Sequence, residues 1–176
     1  CAINGSGQRR TARHEVEGCN DVSLLVAPGQ YTRARSVTVS DSSDLALIET
    51  ESSPNPAPIN TTNDLRIGTY GFHVGYPQGR PGEAASRLMA RSNLISRGRP
   101  VYDEDGNVRG VIVAESARRG RIYTAAPETV ANFIKATGAD TQGEPARSFS
   151  AETYGKEADY ARRNLQVVKV ACSVEE

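Results

Sequence analysis

The sequence predicts an all-β fold, a barrel or sandwich of short antiparallel strands with few helices, and three observations carry that expectation. Short segments of alternating polar and apolar residues recur along the chain, as half-buried strands do. Clusters of proline, glycine, asparagine and aspartate separate them, and these residues supply turn geometry. Only two stretches read as helix, and both lie toward the C-terminal end.

The elements follow in order. Asp21 to Val26 (DVSLLV) is a strand, ended by the turn Ala27-Pro28-Gly29-Gln30. Thr32 to Val39 (TRARSVTV) alternates polar and small apolar residues and is expected to be one half-buried strand. Asp44 to Ile48 (DLALI) is a short buried strand. Residues 52–64 hold three prolines and read as an extended linker, which makes residues 1–51 a first β unit.

The pattern repeats in residues 65–138, a second β unit. Leu65 to Tyr76 is a strand interrupted by Gly71, Gln78 to Glu83 a turn-rich loop, and Ala85 to Ser96 a long alternating strand. Val101-Tyr102 and Asn107 to Ala114 form a hairpin about the turn Asp103-Glu104-Asp105-Gly106, and Arg121 to Ala125 is a further strand. Pro127 opens a helix over Glu128 to Thr137 that stops at Gly138; proline suits a first helical turn and glycine a stop. Residues 139–176 form a tail, with a helix over Ala151 to Arg163 and a β-branched strand over Leu165 to Cys172. That strand is a candidate to pair with the first β unit.

Lysine plus arginine and aspartate plus glutamate both number 21, so the protein has no electrostatic footprint for nucleic acid or an anionic membrane. No run of apolar residues is long enough to span a bilayer. Of the three cysteines, Cys1 and Cys19 flank a short strand–turn–strand segment; a bridge between them and a pair of buried free thiols are both open. No Cys/His cluster has metal-ligand spacing, so neither a metal nor another cofactor is expected.

The candidates for chemistry are few. His14 ends a strand and enters a turn, from which an imidazole can face a cleft, whereas His73 sits within a strand and reads as a wall or core residue. Asp44 directly precedes four apolar residues and so starts half buried, and a buried carboxylate needs a partner. A histidine that takes up a proton needs a carboxylate on its other nitrogen, to fix the tautomer and stabilise the imidazolium. Two strands separate His14 from Asp44, which lets a small barrel bring them together.

The residues around these two positions resemble a known family. Thr11-Ala12-Arg13-His14 is similar to the Thr-Ala-x-His motif of trypsin-like serine proteases, and Ser43-Asp44-Leu45-Ala46-Leu47 to their Asp-(Leu/Ile)-Ala-Leu motif. Gly75-Tyr76-Pro77-Gln78-Gly79 resembles the Gly-Tyr-Pro-x-Gly turn of their second barrel. Pro100-Val101-Tyr102 with Asp105-Gly106 and Gly110-Val111-Ile112 resembles the hairpin after the serine, and Arg121 to Phe133 the last barrel strand and its helix. The five motifs stand in the family's order across residues 1–138, and their spacing is similar to that of short-loop bacterial members.

The resemblance implies two packed six-stranded antiparallel β-barrels of chymotrypsin type, with His14 as general base and Asp44 as its orienting carboxylate. It implies a Cys1–Cys19 disulfide, a polypeptide substrate or protein partner, and a secreted or periplasmic location. It places substrate-strand pairing at Val113, Ala114 and Glu115; for Glu115 itself, selection of a basic substrate residue and a plain solvent-facing strand end are both open. It also implies a nucleophilic serine in a Gly-x-Ser-Gly turn between Arg99 and Pro100. The sequence departs there: Ser96-Arg97-Gly98-Arg99-Pro100 holds the proline but no such serine. Ser92 and Ser96 lack the glycine-rich turn. Parts of both barrels are thus expected to be missing, including an opening strand ahead of Cys1. A serine endopeptidase and an inactive protease fold that binds a protein through its cleft are the two readings.

Overall fold

The structure, a computed structural model, describes residues 1–62, 64, 71–76, 98–116, 121–144 and 147–174, with the side chains of residues 115, 116, 121 and 122 left aside. In sequence order the elements are β1 (Gln8–Thr11), a 3₁₀ turn (Arg13–Glu15), β2 (Asp21–Ala27), β3 (Gln30–Arg33), β4 (Ser36–Val39), β5 (Ala46–Glu49), β6 (Phe72–His73), β7 (Pro100–Tyr102), β8 (Val108–Ser116), β9 (Arg121–Thr124), α1 (Pro127–Thr137), α2 (Tyr154–Arg163) and β10 (Lys169–Ser173). Among the described residues the fold is mostly β-sheet with two α-helices. The expected loop Gln78 to Glu83, strand Ala85 to Ser96 and most of Leu65 to Tyr76 lie outside the described residues.

Among the described residues the strands form three open sheets, in the orders β1-β5-β4, β10-β2-β3 and β6-β7-β8-β9. Two closed six-stranded barrels are not seen among the described residues. The first two sheets face each other across Val16, Val22, Leu24, Ala46 and Ile48, with Val37, Val168 and Val170 at the margin. Alternation along β2 aims Val22 and Leu24 inward, and each such buried aliphatic group contributes about 1.5–3 kcal/mol.

The expected single strand Thr32 to Val39 is two strands. Ala34 N–H donates to Val22 O at 2.8 Å, whereas Arg35 N–H donates to Glu49 O at 2.7 Å. The backbone therefore crosses from one sheet to the other between these two residues. Alternation continues through such a crossing, so the pattern held no sign of it.

The C-terminal strand completes the first β unit. β10 runs antiparallel to β2, with Lys169 opposite Leu25 and Cys172 opposite Val22. This brings Cys172 beside Cys19, and the two form a disulfide with a Cα–Cα distance of 5.4 Å. The expected Cys1–Cys19 bridge is thereby corrected. Cys1 is a buried free thiol that packs with Phe72, Tyr102 and Tyr154, away from Cys19.

In the second unit, Tyr102 stacks on Phe149 with ring centroids 4.7 Å apart, and Phe72 packs on Tyr154. α1 lies on β8 and buries Val130 and Phe133 beside Leu45, Leu47 and Val111. It ends at Gly138, whose φ of 67° is the left-handed conformation that closes a helix without a Cβ clash. The segment read as a linker is strapped at both sides: Ala57 N–H donates to Ala2 O at 2.9 Å, and Val108 N–H to Pro58 O at 2.6 Å.

Candidate active site

His14 is carried by the 3₁₀ turn that follows β1 directly. β1 stops there because Ala12, fully buried, leaves the sheet and opens the turn. Arg13 anchors the turn from outside, donating from Nη1 to Ser40 O at 2.9 Å. Ser40 in turn folds the loop that leads to Asp44: its Oγ accepts from Ser43 N at 3.1 Å and Ser43 Oγ at 2.8 Å. Ser40 N–H also donates to Leu45 O at 2.8 Å, which closes that loop just beyond Asp44. Leu45, wholly buried, fixes the base of the carboxylate.

The two motifs meet through both carboxylate oxygens. Asp44 Oδ1 accepts the backbone N–H of His14 at 3.0 Å, and Asp44 Oδ2 lies 2.5 Å from His14 Nδ1. A carboxylate there holds the proton of the neutral ring on Nδ1 and leaves the lone pair on Nε2. Both side chains keep 30% of their surface exposed, so the pair sits at the surface and not in the core.

What faces Nε2 is a carboxylate. Glu15 Oε1 lies 3.4 Å from it, and no hydroxyl is within hydrogen-bond distance of this nitrogen among the described residues. A carboxylate can only accept, so this contact is attractive only when the ring carries a second proton. Sequence reasoning missed Glu15, although its place directly after the histidine was a signal.

Gly98 and Arg99, where the serine turn was expected, run straight into the sheet. Gly98 N–H donates to Ile112 O and Arg99 O accepts from Ile112 N–H, both at 2.9 Å. Gly98 has φ +83°, and a Cβ there would stand 2.8 Å from Thr11 Oγ1 and 3.1 Å from Glu15 Cγ. Residue 98 therefore touches the histidine turn itself. Val113 and Ala114 lie on β8 opposite β9, and Val113 packs toward the α1 core. Glu115 is on the same strand, opposite Ile122. Among the described residues no hydrogen bond or ion pair joins Val113 or Ala114 to His14 or Asp44.

His73 is buried on β6, where Tyr154 donates its hydroxyl to the His73 carbonyl. Burial first, and the Arg99 charge second, hold its ring down at about 4, so it is neutral at pH 7. Among the described residues no group of His, Cys, Asp and Glu is arranged to hold a metal ion, and no helix is long and apolar enough to cross a membrane.

Comparison with known proteins matches these observations. A family profile described as "trypsin-like peptidase domain" covers residues 5–151. The fold is similar to that of a serine endoprotease from Yersinia pestis, with a TM-score of 0.58 and 19% identity over 77% of this chain and 55% of that one. The sequence thus spans little over half the length of that protein. The MamO protease domain from Magnetospirillum magneticum matches with a TM-score of 0.43 and 14% identity over 76% of this chain and 85% of that one. No curated protein sequence matches. With the profile spanning most of the sequence and the histidine–aspartate pair in place, this chain belongs to the family of trypsin-like peptidase domains.

Proposed function

We propose that this protein is a serine endopeptidase in which His14 is the general base and Asp44 orients it. The observation that carries the reading is the doubly anchored pair, with Oδ1 on the His14 amide and Oδ2 on Nδ1. In the cycle, Nε2 takes the proton of a serine hydroxyl as that oxygen attacks the peptide carbonyl. The same nitrogen returns the proton to the leaving amine, and water repeats the sequence on the acyl-enzyme. Asp44 stabilises the imidazolium in both halves. Glu15 must withdraw for a hydroxyl to reach Nε2. The nucleophile is a serine expected between Arg99 and Pro100, where this sequence passes directly from one to the other.

The substrate is a polypeptide in an extended conformation. Its pairing edge is β8 beyond Ile112, at Val113, Ala114 and Glu115; the end of the β7–β8 pairing at Val111 among the described residues supports this. The Cys19–Cys172 disulfide supports folding in an oxidising, secreted or periplasmic setting.

A second reading rests on Glu15. With a carboxylate at Nε2 and no hydroxyl beside it among the described residues, the protein is an inactive protease fold that binds a polypeptide in its cleft. A fluorophosphonate probe and the intact mass of the protein from its native source separate the two. Covalent labelling that His14→Ala abolishes, with a mass above 18.9 kDa, supports the endopeptidase. Asp44→Asn should then lower kcat by about 10⁴-fold with the fold retained. No labelling, and a mass of 18.9 kDa, sinks the enzyme and leaves the binding module.

A further inference from the structure

A buried cation stands near the histidine with no counter-charge on its guanidinium among the described residues. Arg10 on β1 is wholly buried, and none of its three guanidinium nitrogens has a hydrogen-bond partner there. Arg9 beside it is also buried; its Nη1 donates to Leu165 O at 2.8 Å, and its Nε has no partner. The Tyr102 phenol acts on Arg10 electrostatically, but its hydroxyl is already donated to Gln166 Oε1 at 2.7 Å. Proteins rarely leave a guanidinium dry and unpaired, because nothing then replaces its lost hydration.

Both arginines border a cavity of about 420 Å³, a size typical of ligand pockets. It lies between the first β unit and the β6–β7 edge of the second, and the residues just before β10 close it on a third side. Val74 and Val168 give it apolar walls. Among the described residues, Arg9, Arg10, Arg99 and Lys169 bring four cationic side chains to its lining, against one carboxylate, Glu15. Glu15, which lines the cavity, also lies 3.4 Å from His14 Nε2, so one side chain separates the cavity from the histidine.

We propose that this cavity binds a carboxylate of a polypeptide ligand, from an acidic residue or from the ligand's own C-terminus, with Arg10 as its principal partner and Arg9 as the second. Guanidinium pairs with carboxylate through two parallel N–H bonds, and Arg10 has all its donors to spare. Apolar walls suit a carboxylate on a short hydrocarbon arm better than a fully hydrated free anion. The inference rests on the reading that the cleft takes a polypeptide, and it names the chemistry of that ligand.

The test is a titration of the full-length protein, labelled with ¹⁵N-arginine, followed at the Arg10 Nε–H signal. The ligands are Ac-Ala-Glu-Ala-NH₂, Ac-Ala-Ala-Ala-OH, Ac-Ala-Ala-Ala-NH₂ and inorganic phosphate. One of the two carboxylate peptides should move the Arg10 signal saturably and bind about tenfold or more tighter than the neutral amide. Which one does so identifies the source of the carboxylate. Arg10→Met should lose that preference, while the exposed-site variant Arg33→Gln keeps it. Equal binding of carboxylate and amide peptides, binding of none, or saturation by phosphate without a carboxylate preference overturns the proposal. So does a preference that survives in Arg10→Met; if that variant does not fold, the wild-type Arg10 signal decides alone. The readout involves no hydrolysis, so a protein without protease activity can still pass, and an active protease without carboxylate preference can still fail.

Discussion

Cutting the Cys19–Cys172 bridge is expected to loosen the C-terminal strand and lower global stability by a large fraction. The bridge joins residues 153 positions apart. In the chain-entropy picture a loop of that length takes about 17 cal/mol/K from the unfolded polypeptide, or about 5 kcal/mol at 25 °C. Domains of this kind hold only about 5–15 kcal/mol in total. The structure points the same way, since β10 offers little else: its five residues pair with β2 but bury few of their side chains. The perturbations are Cys172→Ser and reduction of the wild type, and the assay is urea unfolding with amide exchange at residues 169–173. A loss of about 3–5 kcal/mol is expected, with those amides exchanging freely before the β1–β5 pairing opens. Cys1→Ser should leave the effect of reduction unchanged, because Cys1 takes no part in the bridge. A loss below about 1 kcal/mol would refute the reasoning, and would mean that β10 is held by its hydrogen bonds and by Val168 and Val170 alone.

Two further outcomes follow from the site's surroundings. The His73 ring, held near 4 when folded against an ordinary 6.5, binds fewer protons in the folded state than in the unfolded one between these values. Stability is therefore full above pH 6.5 and falls as the pH drops toward 4, by up to about 3 kcal/mol. His73→Leu should flatten that part of the stability–pH curve, and curves that stay parallel for variant and wild type would rule the account out. Gly98→Ala adds a Cβ to a left-handed residue within 2.8 Å of the buried Thr11 hydroxyl. A cost of about 2 kcal/mol in chemical denaturation is expected, and a loss below about 0.5 kcal/mol would show that the histidine turn yields readily.

The histidine–aspartate pair was legible because each half is a contiguous run whose chemistry is written in a few neighbours. Thr11 to His14 and Ser43 to Leu47 each specify a strand end, and the strands between them are short enough to return. The helix over residues 127–137 was legible for the same reason, with Pro127 and Gly138 as local start and stop. Disulfide pairing is a different kind of fact. Cys1 and Cys19 are neighbours in sequence, but the partner of Cys19 is set by which strand fills the open edge of β2, and that strand arrives from residues 169–173. The break at Ala34-Arg35 was hidden likewise, because alternation records which face a residue takes and not which sheet it belongs to.

Arg10 marks the limit of hydrophobic patterning most clearly. Gln8-Arg9-Arg10-Thr11 holds no apolar residue, so it reads as surface, yet three of its four residues are buried. Hydropathy assigns a residue to water when nothing in the sequence can offset its desolvation. The same physics argues in reverse once the burial is known. A guanidinium taken out of water with all its donors idle is a cost that the rest of the fold must carry, and selection for stability alone would favour a methionine or leucine of similar reach. The proposed carboxylate ligand would give those idle donors a partner. Arg10 and His14 sit at successive points of one strand and turn, so a carboxylate held by the first would place the rest of its polypeptide against the second.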